Sequence, residues 1–477
     1  MPKVGRGSRE GLNPIQAFFV GREPNEGGFM LKKWTAVLCA ALMLSGWTAM
    51  AADADFDQGK LETGQFLKAS DAPDIAASAV VTAEKAETKD WTIMVYINAK
   101  NNLEPFGIKD VNEMEAVGST SRVNVVVELG RLGSDDGKEP VWKGQRRFLV
   151  KKDSDSNKIT SPIVMDIPKA DMGDYRHLVE FGKWAKQNYP ARKYMLVVWN
   201  HGSGWNLAKG GPFTPTGISY DDETNNHITT VQLGQALSGL GGVSVYGSDA
   251  CLMQMASVDY EIKGSVDIIV GSEQTEPGDG YDYTGFLKQV NASALTPEDV
   301  AKAAVQSYRD WYARKGEDTT QSALRASALS GLLSQVGEFG SAVMASGEGG
   351  LLKKAKKEAV YFTESDNRDL YDLVSIIVKG TKNAAVRTKG TALMSFIEKD
   401  LMLVNMPTGS YTKNAHGLAI YTPQYSYSSA YDKLAWAKES QWDEFMKWSL
   451  KNTTGGDETP APPSDDNGSG DDSDYPW

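Results

Sequence analysis

Two apolar runs, each ending in a reactive side chain, most constrain how this chain can fold. One reads Tyr194-Met195-Leu196-Val197-Val198-Trp199 and passes into Asn200-His201-Gly202-Ser203-Gly204-Trp205. The other reads Val243-Ser244-Val245-Tyr246 and passes into Gly247-Ser248-Asp249-Ala250-Cys251. Continuous apolar runs of this length, rich in valine and bounded by glycine, predict strands buried on both faces of a parallel sheet. In open α/β sheets, ligands bind beyond the carboxyl ends of the strands. His201 and Cys251 are therefore expected on one sheet edge, where an imidazole and a thiol can meet.

The rest of the chain supports an α/β reading. Strands are expected at residues 91–97, 123–129 and 267–272, an excursion or hairpin at 147–150, and helices near 107–117, 174–189 and 230–240. Alternation of this kind points to a mostly parallel sheet flanked by helices, here assigned to residues 91–290. From Thr296 onward apolar residues recur at helical spacing, so residues 291–452 are expected to form a helix-rich region packing on that core. Its helices are placed near 321–345, 368–378, 390–400 and 441–450. One late strand, Gly417-Leu418-Ala419-Ile420-Tyr421, is expected to extend the sheet.

At 477 residues, 41% hydrophobic and 23% charged, the composition is that of a soluble globular protein. A net charge of −12, with no basic stripe interleaved with aromatics, argues against a nucleic-acid surface. Residues 453–477 are rich in Asp, Gly, Ser and Pro and contain no Lys or Arg; a disordered acidic tail is expected there. Near the other end, Lys32 and Lys33 precede an apolar run from Trp34 to Leu44, and Ala49-Met50-Ala51 supplies a small-x-small pattern. Residues 30–51 thus read as a signal peptide cleaved after Ala51, predicting a secreted or periplasmic protein with no membrane segment in its mature form. Residues 1–29 form an unassigned upstream extension, and 52–90 a linker or pro-segment. Cleavage removes Cys39, and Cys251 becomes the sole remaining thiol of the two cysteines, a reactive-thiol candidate.

If the Cys251 strand turns directly into a helix, the sulfur lies at the helix N-terminus, where the macrodipole favours thiolate. Thiolate attack on a carbonyl gives a thioester acyl-enzyme. His201 can deprotonate the thiol and later protonate the leaving amine. The N–H groups of Gly202 and Cys251 are the expected oxyanion donors. Two rival readings stand beside this one: a non-catalytic extracellular binding protein with an inert buried thiol, and a serine hydrolase using Ser248 or Ser203.

The ordered set of Asn200-His201-Gly202-Ser203-Gly204-Trp205, Gly217-Ile218-Ser219-Tyr220-Asp221-Asp222, Asp249-Ala250-Cys251-Leu252-Met253 and Gly271-Ser272-Glu273-Gln274-Thr275-Glu276-Pro277-Gly278-Asp279-Gly280 resembles the caspase-like cysteine peptidases, and among them the clostripain family. The resemblance implies a caspase-like fold, a His201–Cys251 dyad, and cleavage of proteins or peptides after Arg or Lys. Asp249, two residues before the nucleophile, is placed to floor a pocket for a basic side chain, and Asp279 is a second candidate beside it. A buried charge-assisted hydrogen bond contributes roughly 1.5–3 kcal/mol, about ten- to hundredfold in preference. Family members are cut between the His and Cys strands on activation, and Lys209, the sole Lys or Arg between them, is the expected self-cleavage site. No cofactor or metal is expected. Calcium remains open, but the acidic loop around Asp221, Asp222, Glu223 and His227 has no EF-hand spacing. His177 reads as a structural helix residue. His416-Gly417 precedes its strand and is expected at the opposite sheet edge.

Overall fold

The computed structural model describes residues 87–453 except 136, 138, 206–216 and 293–295. The expected signal peptide, nearly all of the linker, Lys209 and the acidic tail from 454 lie outside the described residues. The chain begins with β1 (Lys89–Ala99), α1 (Glu104–Glu115) and β2 (Val123–Arg131), then the hairpin of β3 (Gly144–Leu149) and β4 (Ile163–Ile167). Helix α2 (Tyr175–Asn188) leads into β5 (Ala191–Trp199). The small pair β6 (Ile218–Asp221) and β7 (Asn226–Ile228) follows, then α3 (Thr230–Gly239), β8 (Val243–Asp249), α4 (Ala256–Ile262) and β9 (Val266–Gly271).

Helices α5 (Tyr283–Ala292) and α6 (Pro297–Lys315) precede β10 (Ser322–Arg325), α7 (Leu329–Ser346), α8 (Gly349–Glu358), β11 (Asn367–Asp369), α9 (Leu370–Gly380) and α10 (Ala384–Phe396). The described chain finishes with β12 (Met402–Asn405), β13 (Ala419–Tyr421), α11 (Ala435–Glu439) and α12 (Trp442–Thr453).

Nine strands form one sheet in the order β12-β10-β9-β8-β5-β1-β2-β3-β4. The five central strands, β9-β8-β5-β1-β2, are parallel, and the strands beyond them on both sides are antiparallel. Side chains of a strand alternate between faces, and both faces are covered here. Met94 and Tyr96 of β1 enter one core with Leu178 of α2, Leu233 of α3 and Val258 of α4. Ile93, Val95 and Ile97 enter the other with Val111 of α1, Phe286 of α5 and Val305 of α6. This two-sided burial is why the strands read as unbroken apolar runs.

Local signals set the helix ends. Asp174 caps α2 by accepting the Arg176 N–H, and Pro190 follows its end. Thr229 and Gln232 close a capping box on α3. The fold thus matches the expected mostly parallel sheet with flanking helices, and the C-terminal helices pack Phe339, Leu352, Leu373 and Phe445 into the first core.

Three expectations are corrected. The helix placed from residue 321 begins only at Leu329; Ser322–Arg325 is instead β10, hydrogen-bonded to β9. The late strand does not extend the main sheet. It pairs with β11, because the edge beside β10 is already taken by β12. Nor does His416-Gly417 lie at the opposite edge. The Gly417 N–H donates to Glu273 at 2.9 Å, just past the end of β9, and its carbonyl accepts from Ser322, which pairs with Gly271.

Candidate active site

In the β5–β8 ladder Trp199 stands opposite Asp249. Both strands run the same way, so His201 and Cys251 each emerge two residues beyond this pair and line one cavity of about 290 Å³. Between them the backbones touch. A Cβ on Gly202 would lie 2.4 Å from the Cys251 carbonyl oxygen, so this approach is open only to glycine.

Asn200 fixes the histidine segment. Its N–H donates to the Asp249 carbonyl at 3.2 Å, and its side-chain amide donates to the carbonyls of Asn98 and Tyr220. Its Oδ1 accepts from the N–H groups of His201 at 2.6 Å and Tyr220 at 2.9 Å. One buried amide therefore ties β1, β5 and β6 together under the imidazole. The β6–β7 turn is anchored by fully buried Lys100, which pairs with Asp221 at 3.0 Å and Glu223 at 2.6 Å. His227 of that loop stacks on Tyr220.

His201 Nε2 lies 2.8 Å from Asn102 Oδ1. A carbonyl oxygen only accepts, so Nε2 carries the proton and Nδ1 keeps its lone pair. Burial lowers the pKa of the imidazole, and the charge of Asp222 opposes that shift. The sulfur of Cys251 accepts the Glu276 N–H at 3.2 Å, and its S–H faces the Glu276 carbonyl at 3.8 Å. Burial pushes the thiol up to about 12.

The helix-dipole expectation for Cys251 is corrected by the same geometry. Leu252 adopts the left-handed region at φ 64°, the chain turns away, and α4 starts only at Ala256. The macrodipole acts within about one turn of a helix end, so it does not reach this sulfur. Strained non-glycine backbone beside a reactive group is a recurring feature of functional sites.

Asp249 is buried beneath the thiol. Its Oδ2 accepts from Tyr283 Oη at 2.7 Å and the Tyr281 N–H at 3.3 Å. Burial raises its pKa to about 6, and those hydrogen bonds, with Glu276, restrain the rise. Gly280, at φ 58°, leaves room for it, since a Cβ there would sit 2.7 Å from Asp249 Oδ1. Asp279 has other partners. It pairs with Lys109 at 2.6 Å and with Lys315, and it does not line the cavity. Burial opposes, but these two lysines hold its carboxyl below the usual range.

The two serines are committed elsewhere. Ser248 is 2% exposed and donates to Tyr246 Oη at 3.1 Å; Ser203 Oγ bonds Tyr220 Oη and accepts the Gly217 N–H. His177 bonds Glu128, and His416 stacks on Tyr371 beside Asp369. Asn102, Glu276 and Tyr283 join the site without having been singled out from the sequence. Glu276 lay inside a quoted motif; the other two carry no local signal. Among the described residues no three His, Cys, Asp or Glu side chains are grouped to hold a metal ion. Nor is any described helix long and apolar enough to cross a membrane.

A family model described as the clostripain family matches residues 95–448. Clostripain of Hathewaya histolytica is 28% identical over 236 residues, covering 45% of this chain and 44% of clostripain. The chain thus matches less than half the length of that relative. Among solved structures, a secreted C11 cysteine protease from Bacteroides thetaiotaomicron bound to an irreversible peptide inhibitor aligns with a TM-score of 0.56 at 20% identity, covering 74% of this chain and 99% of that one. An inactive zymogen C11 protease from Parabacteroides distasonis aligns with a TM-score of 0.56 at 20% identity, covering 74% and 98%. These two likenesses establish the caspase-like fold. With the family match spanning most of its length, this chain belongs to the clostripain family.

Proposed function

We propose that the protein is an exported cysteine endopeptidase cleaving after Arg or Lys, with Cys251 as nucleophile and His201 as its general base and acid. One observation carries this reading: a thiol, an imidazole whose Nδ1 keeps its lone pair, and a buried carboxyl group line a single cavity.

Burial disfavours both the thiolate and the imidazolium, so proton transfer accompanies attack instead of preceding it. His201 Nδ1 takes the thiol proton as Sγ bonds the scissile carbonyl carbon. The N–H groups of Gly202 and Cys251 are the proposed donors to the oxyanion. The imidazolium then gives its proton to the departing amine as the C–N bond breaks. Water, deprotonated by the same imidazole, hydrolyses the thioester. Asp249 receives the substrate's cationic side chain. Asp279 serves less well in that role, because two lysines already answer its charge.

Self-cleavage after Lys209 belongs to the same reading, supported by likeness to a protein described as an inactive zymogen. Export is supported by the signal-peptide pattern and by likeness to a protein described as secreted. The test is hydrolysis of fluorogenic Arg- and Lys-amide peptides by wild type beside Cys251→Ala, with mass spectrometry of both chains. Cleavage by wild type alone, and a cut after Lys209 absent from the variant, are expected. Equal activity in both defeats the proposal.

A further inference from the structure

Glu276 stands where the nucleophile meets the pocket floor. Its main chain grips Cys251 from both polar groups, N–H to Sγ at 3.2 Å and carbonyl facing the S–H at 3.8 Å. Its side chain lines the same cavity. Oε1 accepts a long hydrogen bond from Gln321 at 3.5 Å. Oε2 is buried and meets no donor among the described residues; the neighbour of this carboxyl group is the carboxyl group of Asp249.

Two buried carboxyl groups in contact repel unless a proton or a cation lies between them. No described lysine or arginine acts on either one. Burial first, and then the neighbouring Asp249 charge, push the Glu276 carboxyl well above its usual range, so a shared proton holds the pair together when no cation is present. The free acceptors are also apportioned. Tyr283 and Tyr281 occupy Asp249 Oδ2, while Oε2 on Glu276 stays unanswered among the described residues. The surroundings are stiff: Tyr281 Oη is fixed to the Ser248 carbonyl at 3.1 Å, and Tyr312 Oη to the Gly280 carbonyl at 2.8 Å.

We propose that Glu276 is the second acceptor of the basic-side-chain pocket and that, with Asp249, it selects arginine over lysine. The inference rests on the Arg/Lys peptidase reading above and deepens it. A guanidinium presents five N–H donors in a planar fork, so it can serve two acceptors held on separate residues. An ammonium is a compact point charge that a single carboxylate satisfies. The bound guanidinium takes the place of the shared proton, which leaves to solvent.

The experiment compares full-length, self-processed wild type with Glu276→Gln and Glu276→Asp on peptides differing only in Arg, Lys or citrulline at the cleaved residue. Cys251 alkylation by iodoacetamide reports in parallel whether the site is intact. Glu276→Gln is expected to raise KM for the Arg peptide about tenfold, with kcat within about threefold and KM for the Lys peptide within about threefold. Glu276→Asp should retain more of the Arg preference than Glu276→Gln, and citrulline, lacking the charge, should be insensitive to either change. An unchanged Arg-to-Lys ratio in Glu276→Gln overturns the proposal, whether both substrates are unaffected or both fall equally. A changed alkylation rate with that ratio intact overturns it too. If wild type cleaves neither Arg nor Lys peptides, the broader reading falls and takes this one with it. If wild type cleaves both and only the ratio fails to move, this inference alone is lost.

Discussion

Trp199 faces Asp249 across the parallel β5–β8 ladder, and that single register brings the imidazole and the thiol to one cavity. A slip in this pairing would separate them, because each functional residue lies a fixed two positions beyond its strand's last pair. The closest point of the arrangement is Gly202 against the Cys251 carbonyl. Gly202→Ala is expected to lower kcat about hundredfold, since displacement near 1 Å in a reacting pair has that scale of cost. The folded state should survive, as circular dichroism can verify, and near-normal kcat in Gly202→Ala would show that the two segments have slack.

Asn102 holds the His201 tautomer in which Nδ1 keeps its lone pair, the atom proposed above as the base. Replacing it by Ala should reduce kcat about tenfold with KM little changed, because orientation is lost while the pocket is not. Asn102→Asp should act differently. A carboxylate there favours the imidazolium, so the acidic limb of the pH–rate profile should move to higher pH. A profile that moves down, or an alanine variant altered only in KM, contradicts this role.

The strands that build the site were legible because burial on both faces leaves an unbroken apolar run, as in β5 and β8. Ser322-Ala323-Leu324-Arg325 was not, since four residues with only Ala323 and Leu324 apolar carry too little periodicity to separate a short strand from the start of a helix. The sulfur misses a helix dipole for a local reason: Leu252 turns left-handed and Met255 bridges Ala419, so a loop stands where a helix was expected. Asn102 and Glu276 reach the site from loops after β1 and β9, and no spacing near His201 or Cys251 encodes such long-range contacts. Asp279 looked like a pocket group by its place after the sheet, but its lysine partners come from α1 and α6.

Thiol reactivity should report the neutral state of the half-buried Cys251. Burial raises its pKa to about 12, and a thiol reacts through its thiolate. The rate of iodoacetamide labelling should therefore keep climbing about tenfold per pH unit through neutrality. A plateau between pH 6 and 7 would instead reveal a pre-formed thiolate–imidazolium pair.

Asp249 should impose a pH dependence on substrate recognition. Its carboxyl, raised to about 6 by burial, faces Tyr281, Tyr283 and Glu276 and lies near enough to Asp110 to raise that group's pKa. Below that pH it is neutral and loses its attraction for a cation, so kcat/KM on Arg peptides should fall as pH drops through about 6. Folding responds in the opposite sense. An acid whose pKa is higher in the folded state costs stability that grows as pH rises from its unfolded value through about 6. Asp249→Asn should thus be more stable than wild type at neutral pH by about 1–3 kcal/mol, while losing about ten- to hundredfold in Arg cleavage. Denaturant titration at pH 4 and pH 7 checks the sign; a variant less stable at pH 7 contradicts it.

Lys100 anchors the β6–β7 turn that carries Asp222, whose charge acts on the imidazole. Removing one partner of a buried ion pair strands the other charge, at a cost of about 3–5 kcal/mol. Lys100→Met should lower the unfolding midpoint accordingly, because Asp221 is fully buried beside it. A midpoint within experimental error of wild type would show that the pair is dispensable.

The central claim is that Cys251 forms the covalent bond to the substrate's acyl group, guided by a basic side chain. Its most direct measurement is peptide mapping after incubation with an arginyl acyloxymethyl ketone, a reagent that traps the attacking sulfur as a thioether. The account predicts one adduct on Cys251, appearing in step with loss of Arg-peptide hydrolysis and suppressed in His201→Ala. Complete inhibition with Cys251 unmodified, or undiminished hydrolysis by Cys251→Ala, would contradict it.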